Sequence, residues 1–125
     1  MRWSWIAIAV LSIWPTTAFA DITANELLSS CEALVRQMRI ENDQAFFTQD
    51  GYPCSFYLNA IQGVTRLSKP ADPNRGLLGV CTPEDTRITQ LIRIFTDYAQ
   101  HKPAELHEPA WVIAIRAWTA AFPCR

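Results

Sequence analysis

The sequence predicts an all-α fold, a compact bundle of about four helices stapled by two disulfides. Three observations predict it. Apolar residues recur at helical spacing in four separate stretches. Proline and glycine clusters fall between those stretches rather than inside them. Four cysteines, Cys31, Cys54, Cys81 and Cys124, are spread through a chain of 125 residues, and an even count in a short exported chain reads as two bridges.

Export is read from the first twenty residues, MRWSWIAIAVLSIWPTTAFA. Arg2 supplies a positive start, Trp5 to Trp14 is apolar apart from Ser12, and Ala18-Phe19-Ala20 has the small-x-small form that signal peptidase needs. The apolar run is shorter than the roughly 20 helical residues that span a bilayer core. Residues 1–20 are therefore expected to be a cleavable signal peptide, and 21–125 a single domain with no membrane segment. That domain has ten Lys+Arg against twelve Asp+Glu. This balance speaks against nucleic acid and anionic membranes as partners. Eight of the ten cations are arginine, a side chain whose fork suits carboxylates on a protein partner.

The first helix is expected over 24–40. Thr23 and Glu26 form a T-x-x-E capping box, with Ile22 and Leu27 placed for a hydrophobic staple. Leu27, Leu28, Cys31, Leu34, Val35 and Met38 make its apolar face, while Glu32, Arg36 and Arg39 fall toward water. Asp50-Gly51 and Pro53 then break the pattern, with Phe46 and Phe47 expected to fold back onto the core.

A second, short helix is expected over 54–67, its buried face made by Phe56, Tyr57, Ala60, Ile61 and Val64. Gly63 inside it costs about 1 kcal/mol against alanine, which a close helix crossing would explain. The stretch SKPADPNRGLLGV reads as a loop, with Leu77, Leu78 and Val80 tucking in before Cys81.

The third helix is expected over 83–101, with Thr82 as N-cap and Pro83 at the first position, where its missing amide costs nothing. Ile88, Leu91, Ile92, Phe95, Tyr98 and Ala99 form its stripe. Thr86, Arg87, Gln90, Arg93, Thr96 and Asp97 lie on the other face, and Pro103 stops the helix. The fourth helix starts near Glu108 or Pro109 and ends before Pro123. Only Arg116 and Thr119 are polar between Ala110 and Phe122, so it must be covered on most sides, by the other helices or by a second copy of the chain. Trp111 and Trp118 share a face and are large enough to anchor either arrangement.

Catalytic and metal patterns are weak. There is no CxxC, CxxCH, G-x-S-x-G or H-E-x-x-H. His101 and His107, beside Glu105 and Glu108, read first as surface-turn residues and second as a general base. The sequence thus describes a non-enzymatic binding module without cofactor or metal. Four cysteines allow three pairings, among which the count alone does not choose.

From about 54 to 124 the chain carries an ordered set of segments: CSFY, CTP, QLIRIFTDYAQHKP, LHEPAWVIAIRAW and the closing AAFPC, with Cys31 as a further match. The set resembles the Rap/Tai family of type VI secretion immunity proteins. That family tends to place glycines around its second-helix tyrosine, where this chain has Phe56 and Ala60. The resemblance implies a periplasmic, mostly helical, disulfide-containing protein, a homodimer in well-studied members. Its partner would be a peptidoglycan amidase effector with a cysteine–histidine pair in a cleft, which the immunity protein fills. By resemblance the contact surface is the outer side of the third helix and the turn after it: Arg87, Gln90, Arg93, His101, Lys102, Glu105 and His107. Rival readings are an acid-stress periplasmic chaperone, a small envelope enzyme using His101 or His107, and a structural envelope protein without an effector.

The third and fourth helices, joined by the short turn 102–108, form an antiparallel hairpin. Cys81 and Cys124 then fall at the same end of it. This favours Cys81–Cys124, leaving Cys31 with Cys54.

Overall fold

The computed structural model describes residues 21–40, 49–69, 72–76 and 78–125. The expected signal peptide and the Phe46–Phe47 pair lie outside these. Four helices, α1 (Ala24–Ile40), α2 (Tyr52–Thr65), α3 (Ile88–Gln100) and α4 (Ala110–Ala121), pack around one core. A small antiparallel hairpin, β1 (Ser68–Lys69) and β2 (Asp72–Gly76), joins α2 to α3, and a 3-10 turn over Pro103–Glu105 joins α3 to α4.

The start of α1 follows from its capping box. The Thr23 amide and hydroxyl both donate to Glu26 Oε2 at 2.8 Å, and the Glu26 amide donates back to Thr23 Oγ1 at 3.3 Å. Each bond satisfies a group that a helix end leaves open. Next to this cap the chain is stitched to the start of α4. The Ala24 amide donates to the Glu108 carbonyl (2.9 Å), the Asn25 amide to Leu106 (3.0 Å), and the Ala110 amide to Ile22 (2.9 Å). Leu27, Leu28, Cys31, Leu34 and Met38 then enter the core as the stripe predicts.

Two helices depart from expectation. α2 begins at Tyr52 rather than Cys54, because Pro53 sits in the first turn, where no amide is needed. A residue of α1 caps it: Ser30 Oγ donates to the Asp50 carbonyl (2.6 Å) and accepts from the Cys54 amide (3.1 Å). Its buried face is also rotated from the expected one. Cys54, Ser55, Leu58, Gln62 and Thr65 point inward, Tyr57 and Ile61 are half-buried, and Phe56, Ala60 and Val64 are exposed. The Cys31–Cys54 bridge sets this rotation, with Cα atoms 5.0 Å apart. Gln62 and Thr65 follow it inward because each finds a partner: Gln62 Nε2 donates to the Thr86 carbonyl (3.4 Å) and Thr65 Oγ1 to Gln62 O (2.9 Å). Among the described residues no atom outside its own helix stands within 4 Å of where a Gly63 Cβ would be, so none of them makes the expected close crossing.

α3 starts at Ile88, five residues after the expected start at Pro83, and its N-cap is Arg87 in extended geometry, not Thr82. The Thr86 carbonyl, a helical acceptor had α3 begun earlier, is instead taken by Gln62 and by Arg66 Nη2 (3.3 Å). Thr86 and Thr96, expected on the wet face, are buried, and the Thr96 hydroxyl donates to Ile92 O at 2.8 Å. The stretch expected as loop folds as β1–β2 at Gly76. A side chain there would collide with the Val80 carbonyl, so the tight return requires glycine. Val80 is buried as expected, but Leu78 is exposed.

α4 is covered by α1, α2 and α3 of the same chain. Ala110, Ile113, Ala114, Ala117 and Trp118 are buried, and the Trp118 ring nitrogen donates to the Leu91 carbonyl at 3.0 Å. Trp111 does not anchor the core; it is 46% exposed. At the far end the Cys81 amide donates to Phe122 O (3.0 Å), Val80 bridges Pro123, and the Cys81–Cys124 disulfide closes the α3–α4 hairpin with Cα atoms 5.0 Å apart. Both expected disulfides are formed.

Candidate functional site: the outer side of the α3–α4 hairpin

The residues singled out by resemblance occupy two places. Arg87, Gln90 and Arg93 lie on the exposed side of the first half of α3, where they line a shallow groove of about 510 Å³ with Ile88 and Thr89. His101, Lys102, Glu105 and His107 lie at the hairpin turn. The helix separates the groups: Arg87 and His101 are fourteen residues apart, about 21 Å at 1.5 Å per residue.

At the turn, Arg116 pairs with both glutamates. Arg116, projecting from α4, donates to Glu108 Oε1 at 2.7 Å and to Glu105 Oε2 at 3.1 Å. The Glu108 bond, then the adjoining charges, hold the guanidinium above its ordinary value. His101 Nδ1 lies 2.7 Å from the Asp97 carbonyl, which can only accept, so this nitrogen carries a proton and closes the end of α3. The glutamates nearest the histidines thus serve Arg116. Lys102 and His107 project into solvent beyond this clamp. Among the described residues no group of three His, Cys, Asp or Glu side chains could hold a metal ion.

A second groove lies on the other edge of α3, between it and α1. It measures about 560 Å³ and is lined by Glu32, Arg36 and Arg39 from α1 and by Arg93, Asp97 and Gln100 from α3. Gln100 Nε2 donates to Glu32 Oε1 at 2.8 Å across it. Of these residues the sequence reading singled out only Arg93 as a contact; the signal for the rest was the i, i+4, i+7 spacing of Glu32, Arg36 and Arg39, visible but read as a solvated face.

A third exposed feature is the outer face of α2. Tyr52 and Phe56 stack with ring centroids 5.8 Å apart, and Phe56 is 67% exposed; Val64 and Leu67 continue the apolar strip past the small residues Ala60 and Gly63.

The family profile of the Rap1a immunity proteins matches residues 23–124, nearly all of the chain beyond its expected leader. The chain belongs to this family. Neither a curated protein nor a solved structure matches it. Membership makes this an immunity-type protein whose partner is a protein effector, and it favours an inhibitor over a catalyst. Two disulfides with no free cysteine among the described residues suit an extracytoplasmic member of the family. No described helix is long and apolar enough to cross a membrane.

Proposed function

We propose that this Rap1a-family chain is a periplasmic immunity protein that binds a type VI secretion peptidoglycan amidase and occludes its active-site cleft. The observation that carries the reading is the α3–α4 hairpin, tied at both ends. It is closed at one end by Cys81–Cys124 and at the other by the Arg116 clamp and the backbone bonds to α1. A plug that is ordered before contact loses little entropy on binding. Arg87, Gln90, Arg93, His101, Lys102, Glu105 and His107 are the contact residues in this reading, with Lys102 and His107 leading at the tip.

The test is co-purification with the product of a neighbouring gene that carries a cysteine–histidine amidase pattern, followed by a cell-wall digestion assay. Wild-type protein is expected to stop digestion, and a combined Arg87→Glu, Lys102→Glu and His107→Ala variant to lose that effect while remaining folded. Full inhibition by the folded variant would sink the plug.

A homodimer belongs to the same proposal. What supports it is the α2 strip rather than α4. Bulky Tyr52 and Phe56 at one end, Val64 and Leu67 at the other, and Ala60 and Gly63 between them suit an antiparallel crossing of two copies of α2.

A further inference from the structure

We propose that the α1–α3 groove is a separate docking site for an acidic segment of a protein partner, one whose carboxylates are spaced along the chain. The inference rests on the reading above only in taking the partner to be a protein.

The groove gathers three of the eight arginines of the expected mature domain, Arg36, Arg39 and Arg93. Arg36 and Arg39 are exposed, and neither has a hydrogen-bond or ion-pair partner among the described residues. The contrast with Arg116, held by two carboxylates of its own chain, is direct. Arginines left unpaired on a groove wall keep their planar forks open for bidentate contact with an incoming carboxylate.

The acids of the groove narrow the ligand class. Glu32 and Asp97 stand among the arginines. Gln100 already donates to Glu32, and Asp97 Oδ1 lies 3.7 Å from His101 Nδ1. Nucleic acid or an anionic membrane presents uniform negative charge and would meet these carboxylates as like charges. A polypeptide with spaced Asp or Glu residues avoids them and places its charges on Arg36 and Arg39. The rest of the lining fits this ligand: Val35 contributes apolar surface, and the Thr96 hydroxyl is spent on Ile92 O. The groove therefore selects by charge spacing more than by hydrogen-bond donors on its floor.

The test uses the whole mature protein and a heptapeptide amide with glutamate at its first, fourth and seventh positions; the same peptide with glutamine is the control. Amide chemical shifts of the protein are followed at low and high salt. Expected are shifts confined to 32–39 and 93–100, absent with the glutamine peptide and weakened by salt. Binding by an Arg36→Gln/Arg39→Gln variant should be about tenfold weaker, equivalent to about 1.4 kcal/mol. A Lys102→Gln variant should bind as wild type. Both sites are exposed, so the variants keep the fold, which far-ultraviolet dichroism checks. No shifts at low salt, shifts spread equally over Lys102 and Arg66, or tighter binding of a single-stranded oligonucleotide than of the peptide would each overturn the proposal. Because the probe is a peptide, the result stands apart from whether an amidase is inhibited.

Discussion

α2 and α4 are both largely apolar helices, yet they meet opposite environments. α4 lies among the other three helices and leaves one large side chain, Trp111, half in water. α2 is tied to α1 by a disulfide and turns a strip of aromatic and aliphatic side chains outward. Apolar content alone does not say which helix is central. The decision is made by where small residues fall: Ala110, Ala114 and Ala117 let neighbours close on α4 from several sides, whereas the small residues of α2, Ala60 and Gly63, face out. One helix buries its hydrophobicity in the fold; the other leaves part of it exposed.

Substitutions can break or sharpen this contrast. The largest effect is expected from Trp118→Ala, which removes a fully buried ring and its bond to Leu91 and should destabilise by about 3–5 kcal/mol. Phe56→Ala on the exposed strip should shift monomer stability by less than about 0.5 kcal/mol, while lowering the sedimenting mass of any dimer. Paired thermal and ultracentrifugation measurements check both, and equal destabilisation by the two would erase the distinction. Next comes loss of the bridge that encloses α4. Cys81→Ser with Cys124→Ser opens a loop with a sequence separation of 43 and should cost about 4 kcal/mol in the chain-entropy account. Opening Cys31–Cys54, separation 23, should cost about 3 kcal/mol. Urea midpoints of the two double variants give the order. Gly63→Ala is expected to act in the other direction, stabilising α2 by about 1 kcal/mol because none of the described residues occupies that space. If two copies cross there, the same change weakens their association.

The smallest expected effect lies at the seam between α1 and α4. The Thr23 amide, then its hydroxyl, hold the Glu26 carboxyl below its ordinary value. A carboxyl depressed in the folded state stabilises above its unfolded value, and the contribution fades as pH falls through the folded one. Wild-type protein should therefore lose stability on acidification below the usual carboxylate range, and Glu26→Gln, which keeps the capping geometry, should flatten that slope. Denaturation midpoints at neutral and acid pH supply the comparison.

The sequence was most informative where local chemistry governs. The capping box of α1, the bounds of α4 and both disulfide pairings follow from short-range signals or from the geometry of a single hairpin. It was least informative where a distant group outbids a local preference. Thr82-Pro83 is a good helix start by itself, but Gln62 and Arg66 capture the Thr86 carbonyl, and α3 begins beyond it. The stripe of α2 misled because Gln62 and Thr65 are polar yet buried with partners, a pattern that hydropathy reads as outward-facing. The short β1–β2 hairpin lacked any alternation to reveal it. For the candidate site, the individual arginines were visible in the sequence. Their convergence was not, because Arg36 and Arg93 meet only when α1 and α3 pack side by side.

The unequal placement of the two tryptophans beyond residue 20 has an optical consequence. Trp118, sealed in the core, should emit toward the blue and resist acrylamide, while Trp111, partly wet, should emit further to the red and be quenched readily. A Trp111→Phe protein would leave Trp118 to report the core, and a Trp118→Phe protein would leave Trp111 to report the rim of α4. The domain beyond residue 20 thus carries two lamps of different colour, one for whether it is folded and one for whether anything has settled against its surface.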